Sequence, residues 1–187
     1  MSEIVGILLA AGSSRRFGSD KRWHRLADGT PMAVESGRRL LAACPRSVAV
    51  LRPDDRELAR ALTELGMQVV FCAEAVGGMG HSLAAGVATA AEAKGWLVAL
   101  ADMPGIAGTS YRAVLDTLLA GAGIVRPTLD GQVGHPVGFA AAYRDALLSL
   151  TGDRGGKAII AAHPAAVVDC PVSDPGILFD IDTPAAV

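Results

Sequence analysis

The sequence predicts an α/β fold with a mainly parallel sheet and helices on both faces. Short apolar runs, the first at residues 4–11, alternate with amphipathic stretches of helical length. An apolar run without internal alternation is typical of a strand that is buried on both faces. The chain has no Pro- or Ser-rich linker, repeat or low-complexity block. These observations predict one three-layer domain over residues 1–187.

The elements follow one another in strand–helix order. Leu40 and Leu41 fall opposite Arg38 and Arg39, as in an amphipathic helix, and the acidic pair 54–55 is typical of a capped helix start. The predicted strands are 4–11, 47–51, 68–73, 96–101 and 124–128, with later strands near Val167 and Ile177. The predicted helices are 32–44, 54–66, 82–94, 109–119, 143–150 and 157–162. The less regular stretch 131–174 is expected to supply insertions over a site at the carboxyl ends of the strands.

Composition excludes several classes of protein. Of the 187 residues 51% are hydrophobic and 19% are charged, which is too apolar for a disordered chain. The net charge of −2 argues against a general nucleic-acid binder. No apolar run approaches the ~20 residues of a membrane span, and the first strand lacks the flanks of a signal peptide. We therefore expect a cytoplasmic protein that binds neither membrane nor nucleic acid.

The three cysteines point to no metal or disulfide site. Cys44, Cys72 and Cys170 are odd in number and widely separated, without metal-ligand spacing. We expect them to be buried or half-buried thiols in a reducing compartment.

The loop after the first strand is the most informative segment. Residues 9–12 read Leu-Ala-Ala-Gly, and Arg16 and Lys21 follow. Small residues allow a ligand close to the backbone, whose N–H groups can cradle phosphate, and the two cations can neutralise its charge. The spacing fits neither a Walker A loop nor the dinucleotide-binding fingerprint. A solvated surface loop is the structural alternative.

Two further segments fall near the same edge of the predicted sheet. Asp102 follows a strand, where a carboxylate is suited to bind Mg²⁺ that bridges to phosphate, although a turn or capping role fits equally well. Residues 77–82, which include Gly80, His81 and Ser82, place glycines before a helix and so permit close contact with a ligand. Such a stretch is often only a turn, and His81 taken alone is more typical of a loop residue.

The last third of the chain contains candidates for a second substrate. His135 precedes a proline, which favours an extended backbone, and so can face a polar substrate. Arg154 and Lys157 lie on a Gly-rich turn and can hold an anionic group. Strand alternation places Asp180 and Asp182 on one face, so that Asp182 is a candidate second metal ligand. Turns and helix caps are the competing interpretations at each position.

In this order, the segments resemble the MobA-like nucleotidyltransferases, and within them the molybdenum cofactor cytidylyltransferase (MocA-type) branch. The matching segments cover nearly the whole chain. The first and third are specific to the wider superfamily, and the fourth and last narrow it to this branch. They are 9–12 through Arg16 to Lys21, 78–83 (Gly-Met-Gly-His-Ser-Leu), 101–104 (Ala-Asp-Met-Pro), 134–137 (Gly-His-Pro-Val), 152–156 (Gly-Asp-Arg-Gly-Gly) and 180–184 (Asp-Ile-Asp-Thr-Pro).

The resemblance implies a Rossmann-like three-layer nucleotidyltransferase fold and a Mg²⁺-dependent reaction. A phosphate on the acceptor attacks the α-phosphorus of a nucleoside triphosphate, and pyrophosphate leaves. The implied acceptor is a phosphorylated pterin, and a molybdoenzyme is an implied client. In the family Ala-Ala-Gly goes with cytidylyl transfer and Ala-Gly-Gly with guanylyl transfer, so Ala11 favours CTP.

The resemblance also carries residue roles to matching positions. Arg16 and Lys21 would hold the phosphates, and Asp102 would bind Mg²⁺. The residues implied in nucleotide binding are Leu9, Ala10, Ala11, Gly12, Arg16, Lys21, Gly80, Ser82 and Asp102. His81, His135 and Arg154 are the candidates for acceptor binding.

One segment departs from the family pattern. The branch usually has Gly-Met-Ser-x-Ser where this chain has Gly80 in place of the first serine, followed by His81. This leaves open transfer to another phosphorylated acceptor, such as a sugar or alditol phosphate. A non-catalytic carrier of the cofactor is a second alternative. A nicotinamide-dependent oxidoreductase is a third, which rests on the fold class alone and is disfavoured by the glycine spacing.

Overall fold

The computed structural model describes residues 4–12 and 20–181, which form an eight-stranded sheet with helices on both faces. The strands are β1 (Ile4–Leu9), β2 (Ser47–Leu51), β3 (Gln68–Phe71), β4 (Gly95–Leu100), β5 (Ile124–Leu129), β6 (Gln132–Val133), β7 (Val137–Ala140) and β8 (Val167–Pro171). The helices are α1 (Met32–Ala43), α2 (Arg56–Leu65), α3 (Met79–Thr89), α4 (Gly108–Leu119), α5 (Arg144–Leu148) and α6 (Gly156–Ala162).

The sheet topology brings the ends of three strands together. β1 runs parallel to both β2 and β4, and β2 runs parallel to β3. β7 is antiparallel to β4 and β5, while β5 pairs in parallel with β8 and forms a hairpin with β6. Leu9 pairs with Val50 on one side and with Leu100 on the other. The carboxyl ends of β1, β2 and β4 therefore share one edge, where ligands bind in folds of this kind.

Apolar residues bury the sheet on both faces. Helices α1, α2 and α4 cover one face with side chains such as Leu40 and Tyr111. Helices α3, α5 and α6 cover the other with side chains such as Leu83 and Ile159. Every residue of β1 is buried, which explains its uninterrupted apolar sequence. None of the helices in the described ranges is long and apolar enough to cross a membrane.

The predicted α/β fold is confirmed, and most element boundaries agree within two residues. The prediction was wrong for the helix at 82–94: α3 begins at Met79, and the chain has turned by Ala90, whose carbonyl accepts the amide hydrogen of Ala93. It was also wrong for a strand near Ile177. That segment is a 3-10 turn, because Asp174 accepts a hydrogen bond from the Gly176 amide.

The cysteines are as expected. Cys44 and Cys72 are buried, Cys170 is partly buried, and none of these three forms a disulfide. Burial raises the pKa of Cys72, and the charge of Glu74 raises it further. Its thiol is therefore protonated and unreactive at neutral pH.

Candidate active site

Two adjoining pockets lie at the shared carboxyl edge of the sheet. The smaller one, of about 430 Å³, contains most of the residues expected to bind the nucleotide and is therefore named the nucleotide pocket. The larger one, of about 1350 Å³, contains His135 and Arg154, which are expected to bind the acceptor, and is named the acceptor cleft. Four residues line both of them: Leu9, Met79, Leu100 and Asp153. Two molecules bound in these pockets would meet above the ends of β1 and β4.

The end of β1 forms the floor of the nucleotide pocket. Leu9, Ala10, Ala11 and Gly12, the four residues expected to line the nucleotide, all line this pocket. The Ala10 amide donates to the Val50 carbonyl, which continues the pairing with β2 past the end of the strand. The pocket floor is thus held by the sheet, and its small side chains let a ligand approach the backbone.

Lys21 and Asp102 face each other across this pocket. The Lys21 Nζ lies 2.7 Å from the Asp102 Oδ2, and both side chains are largely shielded from solvent. Lys21 begins a 3-10 turn that is capped by the Asp20 side chain, and Asp102 lies in the turn just after β4. The Asp102 carbonyl also accepts a hydrogen bond from the Ile181 amide at 2.9 Å, which ties this loop to the end of the described chain.

Arg22 also lines the nucleotide pocket, and the sequence analysis did not identify it. Its side chain is only 4% exposed and forms ion pairs with Asp20 at 2.6 Å and with Asp55 at 2.5 Å. It also donates to the Ala10 carbonyl at 2.7 Å. Arg22 therefore links the pocket floor to two other segments of the chain.

The carboxylate of Asp55 belongs to this network and does not cap α2. Asp55 occupies the capping position, but its side chain makes no capping hydrogen bond and instead accepts bonds from Arg22 and Arg52. Burial alone would raise the pKa of Asp55, but the hydrogen bonds from Arg22 and Arg52 outweigh it and hold the pKa below its usual range. The predicted cap was therefore wrong in its chemistry, although the position was right.

The start of α3 contributes differently from the prediction. Ser82 lines the nucleotide pocket, but Gly80 and His81 line neither pocket. The Gly80 amide donates to the Gly152 carbonyl at 2.8 Å, so this N–H is already used within the chain. The His81 ring instead lies beside Gly77. This placement argues against the predicted direct roles of Gly80 and His81 in ligand binding.

The acceptor cleft contains the other predicted candidates. His135, Arg154, Lys157 and Asp180 all line it, together with apolar side chains such as Phe139. Burial lowers the pKa of His135 to about 4; the nearby charge of Asp102 opposes this shift, and that of Lys157 adds to it. The ring is therefore neutral near pH 7, and its buried Nδ1 has no hydrogen-bond partner in the described residues. A neutral imidazole with a free ring nitrogen can accept a hydrogen bond from a ligand.

Two predicted residues, Arg16 and Asp182, lie outside the described residues. Within residues 4–12 and 20–181, no group of three or more His, Cys, Asp or Glu side chains is placed to hold a metal ion. Asp102 does fit a divalent ion that arrives with a triphosphate, because Mg²⁺ is commonly held by one or two carboxylates together with substrate phosphates. Among residues 4–12 and 20–181, the donor set does not suggest a metal bound by protein groups alone.

Comparison with known proteins identifies the family. Residues 6–167 match the family described as "MobA-like NTP transferase domain". The chain belongs to this family. The predicted resemblance is thereby confirmed at the level of the MobA-like NTP transferases, and a nucleoside triphosphate is the substrate that family membership implies.

The MobA-like chain is also similar to individual proteins. The nicotine blue oxidoreductase of Paenarthrobacter nicotinovorans is 28% identical over 190 residues, which span 96% of this chain and 92% of the relative. The crystal structure of Rv0371c from Mycobacterium tuberculosis is 26% identical and superposes with a TM-score of 0.81 over 99% of this chain and 96% of the other.

Two more solved structures share the fold. Rv0371c in complex with manganese is 24% identical, with a TM-score of 0.75 over 91% of this chain and 88% of the other. A nucleotidyl transferase from Methanothermobacter thermautotroptrophicus is 19% identical, with a TM-score of 0.83 over 98% of this chain and 94% of the other. The MobA-like fold is therefore shared well beyond close sequence similarity.

Proposed function

We propose that this MobA-like protein transfers CMP from CTP to the phosphate of a pterin cofactor and releases pyrophosphate. The observation that carries the proposal is the meeting of the two pockets at Leu9, Leu100 and Asp153, with the Lys21–Asp102 pair in the smaller one. A nucleotidyl transfer needs two substrates in contact and a site for a triphosphate, and this arrangement supplies both.

The proposed reaction forms one bond and breaks one. An oxygen of the acceptor phosphate attacks the α-phosphorus of CTP, and the bond from that phosphorus to the bridging oxygen of pyrophosphate breaks, so that pyrophosphate carries away the electron pair. Because the attacking phosphate is already ionised, no general base is needed. Positioning and charge neutralisation are then the main contributions of the protein.

The residues of the nucleotide pocket match these tasks. The small side chains Ala10, Ala11 and Gly12 admit the nucleotide close to the backbone, and Lys21 Nζ donates hydrogen bonds to phosphate oxygens. Asp102 would hold Mg²⁺, which when bound neutralises charge on the phosphates. The complex of Rv0371c with manganese supports a divalent ion in this fold.

The acceptor cleft supports a large, partly apolar phosphorylated acceptor. Phe139 and other apolar side chains form its walls, Arg154 and Lys157 supply positive charge, and His135 supplies a neutral hydrogen-bond acceptor. A phosphorylated pterin has an aromatic ring system, a phosphate and ring N–H donors, which match these three features in turn. A cytoplasmic location and a molybdoenzyme client are part of the same proposal.

The proposal is tested by measuring pyrophosphate release. The full chain is incubated with Mg²⁺, one of CTP, GTP, UTP or ATP, and molybdopterin or a sugar or alditol phosphate as acceptor. We expect release with CTP and the pterin acceptor. Pyrophosphate release only with a sugar or alditol phosphate would show that this compound, and not the pterin, is the acceptor. Binding of the pterin without binding of any nucleotide would indicate a non-catalytic carrier.

The relative from Paenarthrobacter nicotinovorans supports a second candidate function. That protein is named an oxidoreductase, and its similarity spans nearly all of both chains. The second candidate is a nicotinamide-dependent reduction of a heteroaromatic compound, in which a hydride from NAD(P)H and a proton are added to the ring system. Oxidation of NADPH in the presence of nicotine blue, followed by absorbance, tests it. NADPH binding with no nucleotide transfer would favour this candidate.

A further inference from the structure

Arg22 uses every hydrogen-bond donor of its guanidinium group. Nε donates to Asp20 at 2.7 Å, and Nη2 donates to Asp20 and to Asp55 at 2.6 Å each. Nη1 donates to Asp55 at 2.5 Å and to the Ala10 carbonyl at 2.7 Å. An arginine has five such N–H groups in a fixed planar arrangement, so this side chain is held in a single orientation.

These bonds join three segments that are distant in sequence. Ala10 lies in the pocket floor, Asp20 caps the turn that carries Lys21, and Asp55 lies between β2 and α2. The Arg22 side chain thus connects the pocket floor at Ala10 to the turn that Asp20 caps and to Asp55. These bonds add to the backbone pairing that already holds Ala10 to the sheet.

Asp55 also holds a second cation of the nucleotide pocket. Arg52 lines that pocket and lies 3.3 Å from Asp55 through both Nε and Nη2, and its backbone amide donates to Asp55 at 2.9 Å. These side-chain contacts are longer than those of Arg22 to the same carboxylate. Arg22 thus makes the two shortest bonds to Asp55, and the Arg52 side chain is bound to the same carboxylate less closely.

We propose that Arg22 is a positioning residue of the nucleotide pocket: it holds the turn that carries Lys21, and by occupying Asp55 it keeps Arg52 available to contact the triphosphate. The inference rests on the proposed nucleotide site but not on the identity of the acceptor. Arg22 does not itself contact substrate in this proposal. It acts through the turn that carries Lys21 and through Asp55.

Loss of Arg22 has two consequences for a bound triphosphate. Asp20 and Asp55 lose their main counter-charge and then repel the phosphates from within a poorly solvated site. The freed Asp55 carboxylate can also pair closely with Arg52 and withdraw that cation from the pocket. Both effects weaken the binding of CTP more than that of CMP, because CTP carries more negative charge.

The test measures dissociation constants for CTP and for CMP, each with Mg²⁺, in the full-length chain and its variants. For Arg22→Met we expect CTP binding to weaken by about tenfold, the effect of losing one hydrogen bond from Lys21 or Arg52 to a phosphate, and CMP binding to weaken less. Arg22→Lys keeps the charge but loses the planar set of donors, so we expect a smaller loss of the same kind. Asp55→Asn added to Arg22→Met should restore part of the CTP affinity.

The control is Arg38→Met, which removes an exposed ion pair to Glu35 away from the pocket and should leave both constants unchanged. Melting temperatures are measured for every variant, and Arg22→Lys decides the question if Arg22→Met does not fold. A purely structural role predicts equal weakening of CTP and CMP, and that result would overturn the inference. Unchanged CTP binding in a folded variant would overturn it as well. If the unmodified chain binds neither nucleotide, the proposed function itself fails.

Discussion

Lys21 and Asp102 form a direct ion pair of 2.7 Å, although they are 81 positions apart in the sequence. The strand pairing of β1 with β4 produces this contact, because it brings the loops that follow the two strands to one edge of the sheet. The pair places a cation suited to phosphate beside a carboxylate suited to a divalent ion. One small pocket therefore contains both groups that the proposed function assigns to the triphosphate and its metal.

Replacing Asp102 with alanine should abolish transfer. The variant keeps the floor of the nucleotide pocket but loses the carboxylate proposed to hold Mg²⁺. We expect the rate of pyrophosphate release to fall by about 100-fold or more. Asp116→Ala, which changes an exposed carboxylate on α4, is the matched control and should retain full activity. Equal release from the Asp102 variant and the control would remove Asp102 from the proposed mechanism.

The sequence identified candidate residues of this pocket where their type and their position in a loop after a strand pointed to the same chemistry. Lys21 and Asp102 are of this kind. Arg22 and Asp55 were missed because their pairing spans 33 positions and leaves no local pattern. Asp55 also precedes a helix, where an aspartate commonly caps the first turn. The sequence alone therefore favoured a capping role, which needs no distant partner.

Gly80 shows a second limit of sequence reasoning. Its difference from the family pattern was visible, but its cause lies in a contact with residues about seventy positions later. A Cβ at Gly80 would lie 2.8 Å from the carbonyl oxygens of Thr151 and Arg154. Glycine in place of the family's serine at position 80 thus allows the 151–154 loop to pack closely on α3. The same loop places Arg154 in the acceptor cleft.

Restoring the serine of the family at this position should therefore disturb the acceptor side of the site. For Gly80→Ser we expect the free energy of unfolding to fall by about 1–3 kcal/mol, as in other overpacked sites. We also expect the KM for the acceptor to rise more than the KM for CTP, because Arg154 moves with its loop. Steady-state kinetics and urea denaturation measure the two effects.

Gly108→Ser is the matched control for this variant. A Cβ at Gly108, the exposed first residue of α4, has no neighbour within 4 Å, so the added side chain meets open space. Its stability and both KM values should stay near those of the unmodified chain. A Gly80→Ser variant that matches this control would show that the loop accommodates the serine without cost.

Replacing Ala11 with glycine should broaden the choice of nucleotide. Ala11 lies in the pocket floor, and the proposed selectivity for CTP assigns its methyl group the role of narrowing the space for the base. We expect the ratio of kcat/KM for CTP to that for GTP to fall by about tenfold, which is the order of magnitude that one methyl group contributes in a binding pocket. Ala27→Gly, in an exposed turn, is the control. An unchanged ratio would place nucleotide selection elsewhere in the site.

His135 should make the stability of the folded chain depend on pH. Its pKa is lowered from 6.5 to about 4 by burial. Between these values the unfolded chain binds a proton at His135 and the folded chain does not, so the free energy of unfolding falls as the pH drops from 6.5 towards 4. The full loss is about 3 kcal/mol, and it is absent above pH 6.5.

The variant His135→Gln tests this dependence, because glutamine stays neutral throughout the range. Urea denaturation at several values between pH 4 and 7 should show a shallower fall in the free energy of unfolding than in the unmodified chain. His163→Gln, which changes an exposed histidine after α6, should leave the steeper fall in place. If the His135 variant keeps the full slope, the folded chain accepts a proton at His135 as readily as the unfolded chain does. The ring would then be a cation in the acceptor cleft below pH 6.5. Its Nδ1 could accept the proposed hydrogen bond from a pterin N–H only at higher pH.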